Sequence, residues 1–600
     1  MAFQKLAAFL LVAAIAPHAS ATSTPNPNAP DGSATVTVGS DAACDYANIT
    51  LATVLAPAAT TLNIHIAKNN VMTTTQTIVG RNVALMGGYD TCSSTTPSGH
   101  TVLDGSGFTG SVLRTNASFT GTGSYNVSLT AISIINGTGS STLPGGGMTI
   151  DGPFIVYLSD TYVQGNTTTL SGGGILVRGE AGTGLGTTER TALFLVGNTI
   201  VNDNHAQKGG GIACTGRSTV DMSDSIISNN IATSAGGGIS SAQCYIAALG
   251  HAIPTFGIRT NTVAGAGGTG GGIYALGGTV VLYGDGTRKS VVADNLAEYG
   301  GGIGIDSATL QAYDASVSGN FAQFRGGGIY ATNSTTFFVR SRNASLCHDA
   351  LRCSELSGNR VMGTGPTAVG GGLFAVGGTT LISGTFIEDN RVAAGRGMAV
   401  AALNAPGTSG GAAADGLRIF GSVIANSGTG GPAVPADGSI VSIVNSAAGL
   451  GFDTFSRNLA VPRIVYTPST GGASLYPIRI FGTIFDASSG LAADPGVTGT
   501  VPAGDCNRLH ENSSSFALGS TRSTSFPVNF VNSAANDYSL AANSVLLDWC
   551  DGSLAFFPAL TAEGGIRPYD DPGFNALYGN YDLGALERQP ADTIFKNGFE

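Results

Sequence analysis

Six residues ahead of a recurring asparagine the chain carries Asp160, Asn198, Asp224 and Asp314. Oxygen-bearing side chains that return at one offset suit a calcium or sugar site, because calcium takes several hard oxygen ligands. Asp306 adds a second hint, since residues 301–306 read GGIGID and fit one calcium-binding nonapeptide. That mode needs tandem copies whose adjacent turns share each ion, and this copy stands alone. The column is also broken, by Lys289 and Gly384 at the same offset. An Asx turn repeated at one bend explains it more simply. Asp160, Asp224, Asp306 and Asp314 are therefore metal candidates set against a turn reading that we favour.

Other chemistry is thinner still. A glycosidase needs a paired general acid and base, and the one Asp-Asp pair, Asp570-Asp571, runs into Pro572 as a turn would. Gly250-His251 is followed by Ala252, so no Gly-His-Gly motif forms. Residues 265–270, GAGGTG, match a dinucleotide fingerprint but lack the βαβ unit that gives it meaning. We assign no catalytic residue and no cofactor. A net charge of −11 without a basic cluster argues against nucleic acid. Five lysines leave little cationic surface for gripping polyuronates.

The ends speak of export. Residues 1–21 read as a signal peptide: Lys5, an apolar run from Leu6 to Ala16, then Ala19-Ser20-Ala21 for cleavage. No later stretch offers the uninterrupted apolar length of a membrane span. All eight cysteines follow the cleavage point, an even number that suits an oxidised protein. Proximity suggests Cys44 with Cys92, Cys214 with Cys244, Cys347 with Cys353 and Cys506 with Cys550, though other pairings stay open.

What positions these residues is a repeat. Glycine triplets begin at Gly145, Gly172, Gly209, Gly236, Gly270, Gly300, Gly326 and Gly370, with a degenerate Gly395-Arg396-Gly397 after them. Asn166, Asn204, Asn230, Asn295, Asn320 and Asn390 each precede a triplet by five or six residues, and Asn359 does so with an insertion. Alternating runs such as VDMSDSIISNN lie ahead of each Asn and read as strands with one buried face. Units of about 26 residues suit one turn of a solenoid with two or three short strands per turn. Stacked turns must repeat any bend that needs positive φ, which explains recurring Gly and Asn. An inward Asn could also bond to its copies in a ladder, as stacked amides do in cross-β structures.

The units GGGI, GGGL and GGGM with an upstream Gly-Asn or Asp-Asn resemble the repeats of polymorphic outer membrane proteins. Residues 319–329, GNFAQFRGGGI, are the nearest match. The start, VTVGSDAACDYANITLATVLA with GRNVALMGGYDTC, resembles the opening coils of secreted bacterial right-handed β-helix proteins. The end, FVNSAANDYSLAANSVLLDWCD followed by YDLGALE, is similar to a choice-of-anchor Q terminus. The last twelve residues, QPADTIFKNGFE, resemble the IFxxGFE tails of exported gammaproteobacterial proteins, which implies a sorting or processing role. The polymorphic family's self-translocation does not carry over, because no barrel-like run of strands follows Thr500.

The expected fold is all-β, a single-stranded right-handed parallel β-helix of about fourteen coils with terminal caps. Its parts are a signal peptide (1–21), a linker (22–34), an N-terminal cap with first coils (35–115), the β-helix repeats (116–490), closing coils with a C-terminal cap (491–588) and a tail (589–600). The expected function is non-catalytic binding or adhesion, at the cell surface or outside the cell. The long faces would meet a polysaccharide or a host or cell-surface component, and the protein would act as a monomer. A polysaccharide lyase or glycosidase is the alternative, and a structural rod a further one.

Overall fold

The computed structural model describes residues 32–70, 72–120, 123–181, 190–250, 255–284, 288–340, 354–405, 416–429, 438–459, 461–468, 478–486, 491–494, 503–509, 522–550 and 578–586. Cys347 and Cys353, His251, Asp570-Asp571, the signal peptide and the tail lie outside them. Within them the chain is a parallel β-helix. One coil shows the plan: Ile212–Thr215, Thr219–Met222, Ser225–Ser228 and Ile231–Ala235 are four short strands separated by bends. The next coil repeats them in register, with Ile212 beside Ile239, Val220 beside Ile246, Ile227 beside Ile258 and Ala232 beside Val263. Four strands per coil exceed the two or three that the repeat length suggests, because some are only two to four residues long.

Stacking gathers these strands into three faces. Ile212–Thr215 belongs to a 14-stranded sheet, Ile231–Ala235 to an eight-stranded one, and the two middle strands to adjoining columns of a 27-stranded sheet. Ile212, Val220, Met222 and Ile227 of this coil are fully buried in one core, and Ala232 is buried in a small cluster with Val263 and Ala297. Burying each large aliphatic chain contributes roughly 1.5–3 kcal/mol. At about 4.8 Å per layer, fourteen strands imply a stack on the order of 65 Å.

The asparagines form a buried ladder. Asn166, Asn204, Asn230, Asn261, Asn295, Asn320, Asn359 and Asn390 are all fully buried. Each side-chain amide donates to the next Oδ1 at 2.9–3.1 Å, from Asn166 through to Asn390. Each also donates to a carbonyl of the preceding coil; Asn230 Nδ2 reaches Val201 O at 2.9 Å. The residue just before each ladder Asn sits at positive φ, among them Asp203 (55°), Asn229 (55°), Asp294 (57°) and Gly319 (62°). That is the physical source of the Gly-Asn and Asp-Asn signature, since Gly, Asn and Asp tolerate this conformation best.

The triplet has three separate reasons. Gly209 turns the chain at φ +62°; a Cβ on Gly210 would lie 2.6 Å from the Gly237 carbonyl of the next coil; and one on Gly211 would lie 2.9 Å from the Asn230 amide. Corner hydrogen bonds continue unbroken, Gly210 N donating to Gly236 O at 3.1 Å and Gly211 N to Gly237 O at 3.1 Å. The degenerate copy is displaced from its expected position. Gly371 N donates to Gly397 O and Gly372 N to Ala399 O, so the equivalent trio is Gly397-Met398-Ala399. At the third position Ala399 meets Ser427 as the next ladder residue, which accepts from Asn390 N with a shorter side chain than Asn.

The ends close differently. Helix α1 (Ile49–Leu55), N-capped by Asn48, buries Ile49 and Ala52 against the first coils, and Cys44 bonds to Cys92 beside it. At the other end Thr524 pairs with Arg508 as a last layer. The chain then folds back along the flank of the large sheet, beyond simple capping. Leu546, Leu547, Trp549 and Leu583 pack on Phe452, Phe481 and Ile484, while Tyr538, Ala585 and Leu586 pack on Phe386, Val423 and Ala425. Cys214–Cys244 and Cys506–Cys550 pair as expected, with Cα separations of 6.2 and 6.0 Å.

Replacing Asn230 by Ala should lower unfolding free energy by about 3 kcal/mol, because several buried groups lose partners at roughly 1–3 kcal/mol each. Asn202→Ala, on the outer side of the preceding coil, should change it by less than about 0.5 kcal/mol. Chemical denaturation of the two variants checks the difference.

Candidate functional site

The aspartates of the sequence column do occupy one bend, between the two columns of the large sheet. Asp160, Asn198, Asp224 and Asp314 have φ of 45°, 64°, 45° and 48°. Later coils place Gly384, Gly421 and Gly482 at the same bend with φ near 60°. Ala131 and Phe452 share the bend at 56° and 52°, so the position is defined by its positive φ, which Asp, Asn and Gly supply in most coils. The carboxylates do not converge: Asp160 meets His100, Asp224 lies 3.8 Å from Arg288, and Asp314 is buried. Asp306 is on another face, at the end of Ile303–Asp306, where it accepts from Ser307 Oγ. Together with burial, its charge holds the Tyr274 phenol above the usual tyrosine value. Among the described residues no three His, Cys, Asp or Glu side chains group as metal ligands would.

Beside the bend, the outward column of the second strand is apolar. Tyr162, Ile200 and Ile226 are successive register partners, and Gly257 follows them. Gly257 has φ +116°, and a Cβ there would lie 2.5 Å from Val291 O, so no side chain fills this layer. The gap opens a cleft of about 260 Å³ lined by Asp160, Tyr162, Asn198, Ile200, Ile226 and Phe256. Arg259 Nε donates to Phe256 O at 3.1 Å and fixes that wall.

The Tyr162 side of the cleft is backed by a residue from far upstream. The His100 ring stacks on Tyr162 with centroids 4.5 Å apart. Its Nε2 lies 3.0 Å from Asp160 O and 3.3 Å from Asp160 Oδ1. Sequence reading named Asp160 and Asn198 but missed His100, Tyr162 and Phe256, since nothing in their local spacing connects them. Further along the same outward column, Phe386, Val423 and Ile484 are covered by the C-terminal segment. The cleft is thus an uncovered stretch of a face that is sealed elsewhere.

Its chemistry is that of a ring-sized binding site: aromatic and aliphatic walls with a carboxylate and a carboxamide among the lining groups, and an imidazole behind Tyr162. Such a mix of apolar walls and a few polar groups typifies small-ligand sites. Comparison of the chain with protein-family models, curated proteins and solved structures found no match in any of the three. No helix of the described residues is long and apolar enough to cross a membrane.

Because the bend needs positive φ, Asp160→Gly should be more stable than Asp160→Ala by about 1 kcal/mol, although both lose the carboxylate contact to His100. Calcium should leave the melting temperature of the parent protein unmoved. Thermal melts of the three proteins, with and without calcium, check both points.

Proposed function

We propose that this protein is an exported binding or adhesion protein that holds glycan residues without turning them over. The observation that carries the reading is the cleft, where Tyr162 offers one part-exposed ring face beside Ile200 and Ile226 and a mostly buried Phe256 closes the end. Sugar rings present apolar C–H faces and hydroxyl edges. The aromatic walls take the first, and Asp160 and Asn198 take the second by hydrogen bonding. The signal-like N-terminus and the eight cysteines support a location outside the cytoplasm.

A second reading rests on the His100–Asp160 contact beside the Tyr162 phenol. An imidazole oriented by a carboxylate can move protons, so a weak lyase or glycosidase activity would be sited here.

A panel of plant and microbial polysaccharides, scored for retention and for new reducing ends or unsaturated products, separates the two. Retention without product is expected, and Tyr162→Ala or Phe256→Ala should weaken it about tenfold, near 1.4 kcal/mol. Product that disappears in His100→Gln would instead establish an enzyme.

A further inference from the structure

We infer a second binding site, at the glycine corner between the eight-stranded and 14-stranded sheets, whose ligand is an acidic polysaccharide. Sugar rings would lie on a strip of aromatic side chains, and carboxylate or sulfate groups would meet Arg325 and Arg396. The site lies on other sheets than the cleft, and its argument does not depend on the cleft's.

Two columns meet at this corner. On the 14-stranded sheet, Tyr330 and Phe374 are outward register partners with rings 5.9 Å apart at 23°. On the eight-stranded sheet the outward register runs Tyr299, Arg325, Val369, Arg396. The Tyr299 ring lies 5.6 Å from Tyr330 and 5.7 Å from Phe324. The Arg325 guanidinium sits 5.6 Å over the Phe374 ring. Three part-exposed rings, Tyr299, Phe324 and Tyr330, thus line the corner beside Arg325, which lies over the buried Phe374 ring.

Arg325 and Arg396 are two layers apart, about 10 Å along the axis. Both line a depression of about 50 Å³ with Pro366, Val369, Leu403 and Val444. One water occupies roughly 30 Å³ of liquid, so the depression suits a carboxylate or sulfate group and is too small for a sugar ring. Guanidinium groups recognise such anions through paired donors in a fixed fork.

The surrounding charge favours an anion as well. Arg360 and Arg391 are register partners at the other end of the same strands, level with Phe321. Asp389 pairs with Arg391 at 2.6 Å and lies 4.0 Å from Arg360, while Glu388 is buried. Four guanidinium groups thus share the eight-stranded sheet, against Asp389 at one end of its strands and Glu298 beside Tyr299 at the other, in a chain whose net charge is −11. Such a local reversal of sign concentrates anionic partners at one face. Rings arranged along the stacking axis fit an extended polymer, and that favours a polysaccharide over a membrane.

The test uses the full exported chain with polygalacturonate, heparin, neutral dextran and phosphatidylserine-containing vesicles. Expected is retention by the two acidic polymers, weakening as salt screens the contact, with dextran bound at least tenfold less well. Arg325→Gln with Arg396→Gln should reduce acidic-polymer affinity about tenfold while the thermal melt stays unchanged. Tyr330→Ala should reduce it without altering the salt dependence. Tyr162→Ala should leave it unchanged, so failure of this site and failure of the cleft are told apart. Equal binding of dextran, an unaffected double arginine variant, or binding to vesicles alone would overturn the inference.

Discussion

Each ladder asparagine has to satisfy its amide away from water, and only its copies one layer up and down, with the adjacent backbone, can do so. The Asn230 side chain donates to Val201 O and Asn261 Oδ1, and accepts from Asn204 N and Asn204 Nδ2. A coil displaced by one residue would bury these groups without partners, at roughly 1–3 kcal/mol each. Hydrophobic stacking alone sets a weaker register, because Ile, Val and Leu can replace one another across layers. The amide ladder therefore fixes where each coil sits, and the glycine corner allows it to sit so close.

From that constraint the surface follows. Once the register is fixed, outward residues of successive coils form straight columns, whatever their distance in sequence. One column brings together Tyr162, Ile200 and Ile226 around the cleft, and others bring Tyr299, Tyr330, Phe374 and Arg325 to the corner. The inside of the rod is repetitive because it must be. Outward positions are free to vary, so binding chemistry collects there. The C-terminal segment uses the same face for another purpose, sealing Phe386, Val423 and Phe481.

Much of the fold was legible in the sequence because the constraint leaves a repeated mark. Gly triplets, the Gly-Asn and Asp-Asn pairs and the alternating runs each report a demand made in every coil. Asn261 was missed because the loop before Gly270 is longer, so it stands nine residues ahead of its triplet and outside the usual offset. The displaced trio Gly397-Met398-Ala399 hides from the pattern because its last two glycines are gone, and the shorter Ser427 accounts for the second of these changes, at Ala399. The sites were hardly legible. His100 and Asp160 are sixty residues apart, and the arginines of the corner look scattered until layers are superposed. A column of outward residues has no fixed sequence interval when insertions change the length of each coil.

The most direct test of in-register stacking uses the outward threonines Thr309, Thr335 and Thr379, which are successive partners on the large sheet. Adjacent layers place Cα atoms about 4.8 Å apart, within the roughly 4.4–6.8 Å that a disulfide spans. Thr309→Cys with Thr335→Cys should oxidise to an intramolecular crosslink, readable by mass spectrometry of the digested protein. Thr309→Cys with Thr379→Cys, two layers apart at about 10 Å, should not. Efficient crosslinking of the distant pair, or none between the neighbours, would contradict the stacked-layer account.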